Sequence, residues 1–328
     1  MLKTNRPMKR LAKLLTVGVA AFTMFSSAAW AQQKSIAVAA IVEHPALDAV
    51  RDGVQEVLAE AGYENGQNLR WQYQSAQGNT STMAQIARKF IGDEPDVIIA
   101  ISTPSAQTVI AATDSIPIIF AAVTDPVAAR LTSSWEATGT NVTGVSDMLE
   151  LDRQIDLILR IVPDAKRIGM VYNPSEANSV AVVRDLQALL EQRELTLVTA
   201  AAPRSVDVGS AARSLVGKVD VFYTNTDNNI VSAFEAMASV ADEAQVPLIA
   251  SDPDSVARGA SAALGVDYKD IGRQAGRIAI RIFNGEAPGT IAPQTSENLQ
   301  LLINPGAAQR QGITLPEDLL NEATQIID

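Results

Sequence analysis

The stretch Asp96-Val97-Ile98-Ile99-Ala100-Ile101-Ser102-Thr103-Pro104-Ser105 decides how the rest of the chain is read. Its apolar core has no polar alternation, the mark of a strand buried on both faces, as in a parallel sheet covered by helices. The run ends in Ser-Thr-Pro, and proline at a first helical position announces a helix directly after the strand. A buried strand that leads straight into a helix is half of a βαβ unit.

The same alternation recurs in both directions. Upstream, residues 35–42 form a continuous apolar run, followed by a helix pattern with Leu47, Val50, Val54 and Val57 on one face and Gly62 at its end. Residues 69–75 alternate as a strand, 80–91 read as a helix, and 116–123 as a fourth strand. The pattern then restarts: helix 149–161, strand 167–173, and helix 176–192 with Val182, Leu186 and Leu189 aligned. Strands 195–201, 219–226 and 246–251 alternate with helices at 208–216 and 229–245. Two sets of four βα units predict an α/β protein of two Rossmann-like lobes with parallel sheets, although no sequence repeat links them. Beyond them lie a short strand at 262–266, a helix with Ile271, Ala275, Ile278 and Ile282 on one face, and a strand at 299–303. These are too few for a third core. They predict a chain that crosses back and adds to both lobes through 141–146, 264–267 and 293–298, making a multi-strand hinge. The expected division is 32–145 with 267–295 for lobe one and 146–266 with 296–328 for lobe two.

The first residues carry Lys3, Arg6, Lys9, Arg10 and Lys13 with no acid, then an apolar run over 14–25, then Ala29-Trp30-Ala31. A positive start, a short apolar centre and an A-x-A-like end describe a cleavable secretory signal over 1–31. The run is shorter than the ~20 residues that span a bilayer. There is no cysteine, so neither a lipid anchor nor a disulfide is expected, and the mature chain should be free in the periplasm. Net charge is −11. Loss of the leader's five positive charges would take it to about −16, which argues against a nucleic-acid face or general adhesion to anionic lipid.

In open parallel sheets, ligands gather beyond the carboxyl ends of strands. Those ends here are polar: Glu43-His44-Pro45, Ser102-Thr103-Pro104-Ser105, Thr124-Asp125-Pro126, Tyr172-Asn173-Pro174, Thr226-Asp227-Asn228 and Ser251-Asp252-Pro253. Each also reads as helix-capping punctuation. Six at matching places predict a shared cleft. Reactive groups are scarce. His44 is the sole histidine, read as capping or packing, and there is no thiol. No G-x-S-x-G elbow, Walker loop or G-x-G-x-x-G fingerprint occurs, and Asp252-Pro253-Asp254 lacks calcium-loop spacing. The expectation is no enzyme, no cofactor and no metal.

With these loops in view, the chain resembles the family of transporter substrate-binding proteins that includes the tryptophan-binding lipoproteins of Gram-positive bacteria. The segments that carry the resemblance are Val42–Asp48, Ser75–Asn79, Ser102–Gln107, Val123–Val127 and Asn141–Ser146. In the second half they are Val171–Asn173, Glu176–Ser179, Asp227-Asn228, Leu264–Tyr268 and Leu301–Asn304. The resemblance implies a type I periplasmic-binding fold, a ligand enclosed between the lobes, an ABC permease as partner and an aromatic amino acid as ligand. Lacking a lipidated cysteine, the chain departs from the lipoprotein members.

An α-amino acid needs donors for its carboxylate and acceptors for its ammonium. Ser102, Thr103 and Ser105 are candidates for the carboxylate, with Asn178 and Ser179 at the matching place in lobe two. Glu43, Asp125, Asp227 and Asp252 are candidates for the ammonium, with Asp227 favoured because Asn228 adjoins it. The expected consequence is that Asp227→Ala weakens binding sharply and leaves the fold intact. Tyr172 and Tyr223 at strand ends are candidate ring partners, while Phe120 and Phe222 read as core. An aliphatic amino acid or another small carboxylate would fit the same anchors. Hinge change is expected near Thr143 and Val266, in a monomer. The alternative is a periplasmic sensor that presents its ligand to a chemoreceptor or kinase.

Overall fold

In the computed structural model, which describes residues 33–296 and 298–327, the first apolar run forms β1 (Lys34–Ala40) and leads to α1 (Pro45–Glu60). The expected leader over 1–31 lies outside the described residues. Next come β2 (Leu69–Ser75), α2 (Thr80–Gly92), β3 (Val97–Ile101), α3 (Thr103–Ile110), β4 (Ile118–Ala121) and β5 (Val142–Ser146). The second series is α4 (Leu151–Ile161), β6 (Arg167–Tyr172), α5 (Ala177–Gln192), β7 (Thr196–Ala201), α6 (Val208–Leu215), β8 (Val221–Thr224), α7 (Asn228–Ser232), α8 (Phe234–Ala244) and β9 (Leu248–Ala250). The chain closes with β10 (Ala262–Val266), α9 (Tyr268–Phe283), β11 (Gln294–Thr295), β12 (Leu299–Ile303), α10 (Pro305–Arg310), α11 (Glu317–Glu322) and β13 (Gln325–Ile326).

The strands form two sheets, ordered β11-β5-β4-β3-β1-β2 and β13-β12-β10-β9-β8-β6-β7. Among the described residues every pairing is parallel except β10 with β12, where Leu264 faces Leu301. In the first sheet β3 lies between β1 and β4, with Ile99 level with Val38 and Ile119, and its five residues are all buried. Its unbroken apolar run is thus explained by helices on both faces. One face packs under α1 and α9 and the other under α2 and α3, each with its own apolar cluster. In the second sheet α6 and α8 cover one face and α4 and α5 the other. The chain passes from the first sheet to the second after β5, returns between β10 and α9, and crosses again between β11 and β12.

The returning helix α9 lies against α1 with small residues at the contact. A Cβ at Gly53 would run into the Lys269 carbonyl, and one at Gly272 into the Val50 carbonyl. The rim of this contact is ionic, with Glu56 paired to Lys269 and Arg273, and Glu60 to Arg273 at 3.0 Å.

Four departures from the sequence reading have local causes. Residues 142–146, expected as a crossing, pair with β4, and Gly144 is required there because a Cβ would strike the Phe120 carbonyl and ring. No helix follows β4; the Asp125 carboxylate turns the chain by accepting from the Val127 and Ala128 N–H groups, both at 2.9 Å. The expected helix 229–245 breaks at Ala233, where the Ser232 hydroxyl bonds back to the Asn229 carbonyl at 3.0 Å. The short elements β11, α10, α11 and β13 carry too few residues to show a period.

Candidate ligand-binding site

The carboxyl ends of both sheets meet at one cleft. A cavity of about 120 Å³ is lined by Thr124, Asp125, Asp147, Met148, Leu149, Leu151, Ala181, Val182, Asp185, Tyr223, Asn225, Thr226 and Ser251. A narrower space adjoins it, sharing Thr124, Asp147 and Thr226 and adding His44, Ser102, Thr103, Asn178, Asn228, Asp252 and Tyr268. The Thr124 and Thr226 hydroxyls are 3.4 Å apart, so the two lobes touch across the middle of the cleft.

Lobe one supplies donors. At the β3–α3 junction Ser102 holds φ 79°, ψ 157°, a region that side chains other than hydrogen rarely enter, at a cost of order 1–3 kcal/mol. That turn leaves the Ser102 hydroxyl buried without a partner among the described residues. The first bond of α3 runs from the Ala106 N–H to the Ser102 carbonyl at 3.0 Å, so the helix does not claim the N–H groups of Thr103 and Ser105. Such a helix start accommodates a carboxylate. His44, at the N-cap of α1, makes no side-chain cap bond, and its Nδ1 is buried without a partner. Burial and then the Arg258 charge push its pKa down to about 3, so the ring is neutral.

The floor is acidic. Asp147 follows β5 and accepts from the Tyr268 hydroxyl at 2.8 Å through Oδ2, while Oδ1 has no donor among the described residues. Burial raises its pKa, and the Tyr268 hydroxyl offsets part of that rise. Asp252 is buried too, with one oxygen on the Ser255 N–H at 3.0 Å and the other on the Ser255 hydroxyl at 2.7 Å. Its pKa is pushed up to about 6, chiefly by burial. Neither space has a lysine or arginine among its described lining residues. Beyond the floor, Met148, Leu149, Leu151, Ala181, Val182 and the Tyr223 ring make apolar walls, with the buried Ser251 hydroxyl and Asn225 Oδ1 unpartnered among them.

A profile of the family described as "ABC transporter substrate binding protein" matches residues 35–327. The chain belongs to this family. Among its relatives is a tyrosine-binding protein of Clostridioides difficile, 42% identical over 273 residues, which are 83% of this chain and 79% of that one. A solved ABC domain from Streptococcus pneumoniae in complex with L-tryptophan superposes with a TM-score of 0.86 at 33% identity, over 90% of this chain and 100% of that one. A substrate-binding protein with adhesive properties from Clostridium difficile, in its ligand-free, open form, superposes at only 0.68 although it is 38% identical over 90% of this chain and 99% of that one. The two mostly parallel sheets are the type I periplasmic-binding arrangement, shared at lower identity with a leucine-binding protein of Thermotoga maritima.

Of the residues singled out in this substrate-binding protein from its sequence, Ser102, Thr103, Asp125, Asn178, Asn228 and Asp252 line the cleft. Glu43 does not; it is exposed and takes bonds from Tyr73 at 3.3 Å and Gln77 at 2.9 Å. The Ser105 hydroxyl is buried against the Ala39 carbonyl at 3.2 Å and the Met83 sulfur at 3.1 Å. Tyr172 packs half-buried on the α4–α5 side of lobe two. Ser179 gives its hydroxyl to Asp227 at 2.6 Å. Asp227 itself lines neither space. Its carboxylate takes the Asn173 N–H at 2.6 Å, the Asn229 N–H at 3.0 Å, the Ile230 N–H at 3.2 Å and the Ser179 hydroxyl, which leaves no oxygen for a ligand. Its geometry is that of a helix cap, because a short loop after β8 aims it back at its own backbone.

The sequence reading nominates neither Asp147, which follows a segment read as the crossing 141–146, nor Tyr268, which starts α9. Once β5 is a strand, Asp147 meets the same strand-end criterion that selected Asp125. His44 lines the cleft where a cap or a packing role was expected.

Proposed function

We propose that this protein is a carrier that encloses an aromatic α-amino acid between its lobes and delivers it to the permease of an ABC importer, without chemistry on the ligand. One observation carries the reading: the cleft joins a helix start with free donors to an acidic floor with no lysine or arginine among its described lining residues, and both open onto an apolar slot. A bare anion would meet Asp147 and Asp252 uncompensated, whereas a zwitterion satisfies both ends. The carboxylate goes to the Thr103 and Ser105 N–H groups with the Ser102 hydroxyl and His44. The ammonium goes to Asp147, and the ring lies between Leu149, Leu151, Val182 and Tyr223. The names of the tyrosine-binding and tryptophan-bound relatives support an aromatic ligand. The greater likeness to the tryptophan-bound structure than to the more identical open one supports a closed arrangement here. The working division is 32–145 with 267–295 and 146–266 with 296–328, opening about the segments near Thr143 and Val266. The mature carrier begins at Gln32, acts in the periplasm and works as a monomer.

The test is a thermal-shift and calorimetric screen of residues 32–328 against the twenty amino acids and small carboxylates. A ligand at a hundred times its Kd adds about 2.7 kcal/mol to the folded state. The expected result is a rise of several degrees confined to tyrosine, tryptophan or phenylalanine. Shifts with aliphatic compounds only would discard the aromatic slot, and no shift at all would discard the amino-acid reading.

A further inference from the structure

Behind the cleft wall of lobe two lies a carboxylate that touches neither space and makes no cap bond to the helix it precedes. Glu176 stands at the N-cap of α5, yet its side chain makes no cap bond there, and it is only 5% exposed. Its Oε2 accepts from the Asn228 backbone N–H at 3.1 Å, from Asn228 Nδ2 at 2.6 Å and from Asn178 Nδ2 at 3.4 Å. Its Oε1 accepts from Asn173 Nδ2 at 3.3 Å.

The sense of these bonds is fixed. A backbone N–H can only donate, so Oε2 accepts from Asn228, and any amide turned toward the ionised carboxylate must present nitrogen. A flipped Asn228 would bring its oxygen against the carboxylate. Asn178 is fixed a second time, since its Nδ2 also donates to the Thr226 carbonyl at 3.2 Å. The oxygens of both amides are therefore left for the cleft that the two residues line. Asn178 Oδ1 is buried and meets no donor among the described residues. A wall of outward-facing amide oxygens accepts hydrogen bonds and offers none. Burial pushes Glu176 up to about 7, and the negative charge of the buried Asp227 carboxylate behind it adds to the rise.

We infer that Glu176 is a positioning residue for ligand polarity: by holding the Asn178 and Asn228 amides nitrogen-inward, it makes the lobe-two wall an acceptor surface that takes the ammonium end of the ligand beside Asp147. The inference rests on the amino-acid reading of the cleft. It also fixes the ligand's direction, with carboxylate toward the start of α3 and ammonium toward α5 and α7. Glu176→Gln keeps the volume but can offer an N–H, which lets either asparagine turn its nitrogen to the cleft.

The experiment is a mutant cycle in calorimetry at pH 8, where Glu176 is ionised, with whichever of L-tyrosine or L-tryptophan binds the wild type more tightly. Glu176→Gln is expected to weaken binding at least ten-fold. Asn178→Ala with Asn228→Ala is expected to do the same, and the triple variant to be no more than about two-fold worse than the double, because of the three amides on Glu176 only these two line the cleft. Unfolding midpoints are recorded alongside. A Glu176→Gln affinity within two-fold of wild type overturns the inference, as do losses that multiply in the triple variant. If Glu176→Gln loses its cooperative transition, Asn228→Ala alone carries the test: a loss of ten-fold or more at an unchanged midpoint upholds it, and a change within two-fold overturns it. A wild type that binds neither amino acid fails at an earlier step and removes the amino-acid reading and this inference together.

Discussion

Asp147 is fully enclosed, yet only one of its oxygens meets a firm protein donor, the Tyr268 hydroxyl. A carboxylate in that position is costly in the empty protein and rewarded by a cation. Asp147→Asn should therefore weaken amino-acid binding by about 2 kcal/mol, roughly thirty-fold, the scale of a lost charge-assisted bond. It should also change how stability depends on pH. An acid whose pKa is raised by folding keeps its proton in the native state after the unfolded chain has lost it. Its stabilising effect is thus fully present below the unfolded value of ~3.9 and disappears as pH rises through the native value. The Tm of the ligand-free wild type should fall between pH 4 and pH 8 by more than that of Asp147→Asn. Asp252 and Glu176 are shifted the same way, so the difference between the two slopes is the quantity to read. Parallel slopes would refute a raised Asp147.

At the scale of elements, α9 decides whether the returning chain belongs to lobe one. Its contact with α1 is close because Gly53 and Gly272 carry no Cβ, and the Val50 and Lys269 carbonyls occupy that space. Gly272→Ala should destabilise by about 1–3 kcal/mol, since neither helix can retreat without lifting off the first sheet. That corresponds to a drop in Tm of at least a few degrees. Gly92→Ala is the control. It ends α2 with nothing near its Cβ, and it should be neutral or slightly stabilising. Equal Tm values for the two variants would remove the packing argument. The same reasoning applies at Gly265, where a Cβ would enter the Ser251 carbonyl beside the cleft.

At the scale of the whole molecule, the Thr124–Thr226 contact joins the lobes at the cleft, and a ligand favours closure only by its differential affinity for the closed state. Ligand addition should reduce the radius of gyration in small-angle scattering. Thr124→Asp combined with Thr226→Asp would set two more carboxylates beside Asp147, and their repulsion should hold the lobes apart with or without ligand. A radius that does not respond to ligand in the wild type would rule out closure as the response to binding.

Much of this was legible along the chain. The unbroken apolar runs at 97–101 and 221–223 had to be strands covered on both faces, and the apolar stripes between them had to be helices, because local periodicity reports burial directly. Strand ends that carry Ser102, Thr103, Asn228 and Asp252 marked the cleft for the same reason: topology gathers strand ends whatever their partners. The sequence could not say which way a side chain at such an end turns. Asp227 and Asp147 are the same residue type in similar local settings. One is used up by backbone N–H groups two and three residues on, and the other is aimed into the cleft by a five-residue strand that shows no period. The periodic pattern by itself determined the architecture. Only the tertiary structure decided which acids face a ligand, because that depends on donors brought in from distant segments, as Tyr268 is brought to Asp147 across 121 residues.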